Sequence, residues 1–381
     1  MKAAWHIAVV VVVSACNLFA PELPLLDDRP PMVAVSEVWS APTEAVLPTD
    51  VAPLPGGGFI VLDGYLGRAL LYDAQYRLTT EFGDEDTFGH PVRMAPVASG
   101  EGWWLSVPDR GAVLRIDPAG QVVEAVRVEV PEHLGEDAFT PVAVHDLGDT
   151  LALGMRSGEL VWLDSETGEL SHLVDRDVDG EVFGSIADIT AMPTGEVLAV
   201  DALGPRVHVL AADGQPVSWF GRRGLWVGYL SKPKSVAPGP GGTALVADSA
   251  LGLVEIFARD GRPLGAVAKD GEPLRFRHPV AVVPADDTLH TFLVLEQKTA
   301  AVWGFSITDE AVAAAEKEIA VRHLRQPASD ADVTEAIDEG HLCVECHDGF
   351  VNDDRFVWDS ELERHPEGIV PDRELPTFFP L

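Results

Sequence analysis

Between residues 51 and 306, apolar and polar side chains alternate with a period near two. The runs are short and are broken by glycine and aspartate, as expected for antiparallel strands half-buried on one face. Six stretches align on one another: "GFIVLDGYLGRALLYD" (58–73), "GWWLSVPDRGAVLRID" (102–117), "DTLALGMRSGELVWLD" (149–164), "GEVLAVDALGPRVHVL" (195–210), "GTALVADSALGLVEIF" (242–257) and "HTFLVLEQKTAAVWGF" (290–305). Asp63, Val107, Met155, Asp201, Asp248 and Glu296 fall at one equivalent position, at intervals of 44, 48, 46, 47 and 48 residues. Each unit predicts four strands: an apolar strand opened by a proline step, a second strand ending near an aspartate, a third strand reaching an aspartate turn, and a fourth.

Six such units predict an all-β, six-bladed β-propeller, in which a four-stranded blade buries its faces only against its neighbours. The strand-like "MVAVSEVWSAP" (32–42) is expected to supply the missing outer strand of the sixth blade and close the ring. Residues 232–261 resemble the NHL-repeat consensus; the resemblance is good in units four and five and degenerate in unit three. It implies a ring of blades around a central channel. The fold alone names no activity, since it hosts binding, hydrolase, lyase and quinone-dependent dehydrogenase functions. His90, Arg93 and His278 stand near the starts of inner strands, where propeller sites open onto the channel; the same "HP" steps also read as ordinary strand entries. Asp63, Asp201 and Asp248 read as structural residues that bond turn amides. No phosphate-cradling loop is present, because the glycines of "PGPGG" (238–242) lack the helix and lysine such a loop requires.

Composition narrows the partners. Apolar residues make up 46% of the 381, enough for a globular core, and 61 acidic against 27 basic residues give a net charge of −34. Such a surface repels nucleic acid and anionic lipid. The acid reads as a solubilising coat, with a salt-rich habitat or a basic partner as alternatives.

The ends carry other signals. "MKAAWHIAVVVVVSAC" has Lys2, an apolar run from Ile7 to Val13 too short to span a bilayer, and then small residues, the pattern of a secretory leader. "VSAC" resembles the lipobox of bacterial lipoproteins. That resemblance implies removal of residues 1–15, lipid on Cys16, a tether over 16–35 and anchorage on the periplasmic side, with Asn17 favouring the outer membrane over the inner. An ordinary cleaved signal with an incidental cysteine is the alternative.

From 307 to 381 the strand pattern gives way to a small, mainly α-helical segment, beginning with "TDEAVAAAEKEIAVRHL" (308–324) and Thr308 as its N-cap. Two of the chain's three cysteines stand in Cys343-Val344-Glu345-Cys346-His347, the c-type haem attachment pattern CxxCH. Thiols one helical turn apart suit the two vinyl groups of one porphyrin, and the following imidazole suits the iron beneath. A zinc site completed by His341, His347 and carboxylates, a redox-active dithiol and a plain disulfide remain as rivals. "LCVECHDGFVND" followed by "ERHPEGIVPDRELP" is similar to multihaem cytochromes c of the doubled-CxxCH type. The resemblance implies His365 as distal iron ligand, although the family's second CxxCH is not found between 347 and 381. His341, a propeller histidine or an open site are the alternatives, and the methionines, at 1, 32, 94, 155 and 192, all lie outside this segment.

These signals together lead us to expect an exported, lipid-anchored propeller that carries one covalent haem c. It would transfer electrons to a redox partner protein at the cell envelope and bind no nucleic acid. A propeller oxidoreductase of quinoprotein-dehydrogenase type that passes electrons to the haem, and a non-redox binding scaffold, are the competing expectations.

Overall fold

The computed structural model describes residues 32–323 apart from 99, 129–138 and 166. Arg29–Ile319 form one compact unit. Cys16, Cys343, Cys346, His347 and His365 lie outside the described residues.

The first unit is a six-bladed β-propeller. Blade one runs Pro48–Pro53, Phe59–Asp63, Arg68–Tyr72, Leu78–Phe82 from channel to rim, and blade two Arg93–Pro96, Trp103–Val107, Ala112–Ile116, Val122–Arg127. Blade three runs Pro141–Asp146, Thr150–Met155, Leu160–Asp164, Leu170–Val174, and blade four Ile186–Ala191, Val197–Asp201, Arg206–Leu210, Pro216–Phe220. Blade five runs Pro233–Pro238, Ala244–Asp248, Leu253–Phe257, Pro263–Lys269. Blade six takes Pro279–Pro284, Thr291–Glu296 and Ala301–Ser306 from the end of the repeat and Ser36–Pro42 from its beginning.

One expectation changes. The middle strands are not half-buried: Phe59–Asp63 and Ala244–Asp248 are buried at every position. Each blade is covered on both faces by its neighbours, so only rim strands such as Val122–Arg127 keep solvent on one side. The core is accordingly divided into six apolar clusters, one at each seam between blades.

Closure is shared between two blades. Ser36–Pro42 pairs antiparallel with Ala301–Ser306, placing Trp39 opposite Gly304. Met32–Ala34 pairs parallel with the rim strand of blade five, Met32 opposite Ala266. Trp39 stacks on Tyr76 of blade one at 4.1 Å, which ties the closing strand to the next blade. Gly304 is required there, since a β-carbon would stand 2.1 Å from the Trp39 ring. The helix Asp309–His323 begins where Thr308 Oγ1 accepts the Ala311 N–H at 3.2 Å. Its Val312 and Ala315 enter the cluster that holds Val33 and Phe305.

Candidate functional site

The inner strands carry a kink just after their opening residue, with the pairing register slipping at Pro48/Asp50, Pro141/Ala143, Ile186/Asp188, Pro233/Ser235 and Pro279/Ala281. The residue after the kink in these five strands, and Arg93 at the aligned position of blade two, form one repeat layer: Asp50, Arg93, Ala143, Asp188, Ser235 and Ala281 around the ring. Three of them latch the next blade. Asp50 accepts the N–H of Val51 at 2.9 Å and of Met94, in blade two, at 2.8 Å. Asp188 accepts Ile189 N–H and, from blade five, Val236 N–H, both at 3.0 Å. Ser235 Oγ accepts Val282 N–H of blade six at 3.1 Å.

Arg93 runs the other way, across the axis. Its Nε donates to the Ala187 carbonyl of blade four at 3.1 Å and its Nη2 to the Lys234 carbonyl of blade five. Nη1 reaches Asp50 Oδ1 at 3.4 Å, and Asp188 Oδ1 stands 3.9 Å from Nε. One guanidinium thus joins blades one, two, four and five. Burial pushes the Asp50 carboxyl up to about 6, against the opposing pull of Arg93. Burial likewise holds the nearby His145 imidazole below its ordinary range, although Asp188 and Asp146 oppose it. With its donors committed to protein groups, Arg93 acts as a clamp.

The turn aspartates form a second set. Asp248 accepts four backbone N–H groups, from Ser231, Lys232, Ala250 and Leu251, at 2.6–3.0 Å. Asp63 does the same for Val46, Leu47, Tyr65 and Leu66, and Asp201 for Gly184, Ser185, Leu203 and Gly204. Burial alone would raise Asp201, but His208 and these N–H groups outweigh it and hold the carboxyl below its usual range. Each aspartate ties the loop entering its blade to the turn after its second strand, so both kinds of loop share one face of the ring.

That face also holds the two histidines singled out from the sequence. His90 is exposed; its Nδ1 lies 3.2 Å from the Gly64 carbonyl, and its backbone N–H meets Asp109 at 3.2 Å. His278 is half-buried at the mouth of the channel, with a left-handed φ of 69°. Arg93 is the only one of the three that reaches the channel clamp. Asp50, Asp188 and His145 were not singled out, although the aligned "PTDVAP", "PVRMAP", "SIADITA" and "PKSVAP" place Asp50, Arg93, Asp188 and Ser235 at one repeat position. On the same face Leu203, Leu225 and Trp226 are exposed, Trp226 at 73%. Among the described residues no helix is long and apolar enough to cross a membrane.

Comparison with solved structures identifies the fold. A protein of unknown function from Bacteroides thetaiotaomicron matches with a TM-score of 0.55 at 12% identity, over 73% of this chain and 75% of its own. A streptogramin B lyase matches at 0.52 and 9%, over 71% and 98%. The β-propeller domain of Myceliophteria thermophila Cps50 (Swd1) matches at 0.50 and 11%, over 71% and 100%. The shared feature is the propeller. At such identities nothing further carries over. No protein-family profile matches the chain. No curated protein matches it either.

Proposed function

We propose that this chain is a cell-envelope electron carrier: a propeller platform, lipid-anchored through Cys16 on the periplasmic side, bearing one covalent haem c on its C-terminal segment. The observation that carries the reading is Cys343-Val344-Glu345-Cys346-His347 in a chain that opens with an export leader. The donor set suits the group. The thiols of Cys343 and Cys346 would hold the porphyrin by addition of S–H across its vinyl groups, which requires neither oxidant nor leaving group, and His347 would supply an imidazole to the iron. His365, from the "HPEGI" segment, is the ligand we assign opposite. Bound in this way, haem supplies a one-electron couple, and two histidine ligands favour electron transfer over binding of small molecules at the iron.

Within the channel Arg93 spends its donors on Ala187, Lys234 and Asp50, so that guanidinium holds the blades together and leaves the platform rigid. The apolar residues exposed on the loop face, with Trp226 foremost, suit docking of a redox partner protein.

The test is expression in a periplasm equipped for haem c maturation, followed by the absorption spectrum of the reduced protein in alkaline pyridine. We expect one c-type haem per chain, lost in Cys343→Ala/Cys346→Ala, and a high-spin iron in His365→Ala. Cys16→Ala is expected to move the chain from the membrane to the soluble fraction. A purified wild-type chain without porphyrin overturns the reading.

A further inference from the structure

The chain has six lysines, at 2, 232, 234, 269, 298 and 317, in a protein of net charge −34. Three of them meet at the channel mouth between blades five and six. Lys232 lies in the loop that enters blade five, Lys234 on its inner strand, and Lys298 in the turn after the second strand of blade six. That turn is bonded to the entry of its own blade, Gln297 N–H to the His278 carbonyl at 3.1 Å and Lys298 N–H to the Arg277 carbonyl at 3.3 Å. His278 thus adjoins the Lys298 turn, the charges of Lys232, Lys298 and Lys234 all act on its ring, and Arg277 precedes it in the chain. Lys234 and His278 are half-buried, whereas Lys232, Lys298 and Arg277 are exposed, so the cations form a floor and a rim.

None of the three lysines makes an ion pair among the described residues. The acid that acts on Lys234, Asp248, has its carboxylate taken up by four backbone N–H groups. Burial holds both Lys234 and His278 below their ordinary pKa ranges; Lys232 and Arg93 add to this at Lys234, and Lys232, Lys298 and Lys234 at His278. His278 also holds a backbone conformation unusual for a residue with a side chain, a cost of the kind that gathers at functional sites. Cations without ion pairs, gathered at one seam of a molecule otherwise strongly acidic, focus the local field on an anion.

We propose that Lys232, Lys234, Lys298 and His278 form a binding site for a small oxyanion of two or more charges, a phosphate or a polycarboxylate, at the mouth of the channel. The site is independent of the haem: it takes up solute on the loop face of the propeller, and its occupancy neutralises the lysines around His278.

The experiment uses the full chain at pH 7, titrated calorimetrically with inorganic phosphate and, separately, with citrate, at ionic strength held constant with sodium chloride. One saturable site is expected for at least one of the two, with a Kd on the order of 0.1 mM. Binding should raise the His278 pKa, followed by its ring resonances, because the anion offsets the neighbouring ammonium charges. Lys232→Gln/Lys298→Gln changes two exposed side chains and is expected to weaken binding at least tenfold. It should also raise the His278 pKa without ligand, which shows that the altered site is still folded. Saturation by phosphate alone or by citrate alone supports the site and sets its preference. No saturable heat with either anion overturns the proposal, as does equal affinity in the double variant.

Discussion

Blades four and five differ instructively from blades two and three. In the first pair a single buried carboxylate, Asp201 or Asp248, gathers four N–H groups and welds the entry loop to the turn after the second strand. Blades two and three place Val107 and Met155 at that position, both fully buried. Blade two recovers part of the bond with Asp109, two residues later and exposed, which takes only the His90 N–H. Among the described residues blade three uses backbone alone, with Arg156 N–H on the Thr140 carbonyl at 2.9 Å, and leaves the Thr140 hydroxyl buried without a partner. The repeat tolerates loss of its best bond because each blade is still held on both faces by apolar seams. What the carboxylate adds is local definition of the loop face.

That contrast can be broken most forcefully at Asp248. Asp248→Ala orphans four N–H groups in a buried setting and is expected to cost about 3–5 kcal/mol in urea unfolding. Asp109→Ala, at an exposed residue with one backbone partner, should cost about 1 kcal/mol or less by the same measurement. Equal losses would mean that the buried carboxylates are not what distinguishes the two pairs of blades. Gly304→Ala comes next. It drives a methyl group into the Trp39 ring and should lower stability by about 1–3 kcal/mol while loosening the closing strand, visible as faster amide exchange over 36–42.

A pH-dependent effect concerns the channel layer. The Asp50 pKa is raised from 3.8 to about 6 in the folded protein, so the folded chain keeps a proton that the unfolded chain releases. Its contribution therefore favours folding least above pH 6: stability falls as pH rises from about 4 to about 6, by about 3 kcal/mol at most. Asp50→Asn keeps an acceptor for Met94 and should remove that decline, read as the difference between wild-type and variant urea midpoints from pH 4 to 7. Arg93→Met removes the cation that opposes burial and should carry the decline above pH 6. A difference that is flat with pH would show that Asp50 is already ionised throughout.

Much of this was legible in the chain. The period near 46 residues and the recurrent aspartate gave the blades, because a repeat must satisfy the same loop with the same chemistry each time. The helix start at Thr308 was equally readable, but the closing role expected of 32–42 holds only for Ser36–Pro42, because Met32–Ala34 pairs with blade five instead. The continuous burial of strands such as Phe59–Asp63 was not, since alternation reports a strand with one wet face and stacking removes it. The Arg93 clamp was hidden for a different reason. Its partners Asp50, Ala187 and Lys234 lie far from it in the chain and meet only once the ring is closed. The residues proposed for haem and anchor, Cys343, Cys346, His347, His365 and Cys16, fall outside the described residues.

The closing strand fixes an order of events. Ser36 pairs with Ser306 and Met32 with Ala266, so the first strands to be synthesised are the last to find partners. Until then the nascent chain is an open spiral whose sixth blade lacks its rim strand and presents a bare edge. Contacts of such long sequence separation make folding slow, and an uncovered edge invites pairing with another chain. A protein built in this way gains when the whole chain is present before the circle closes, so that its own first residues are free to seal it.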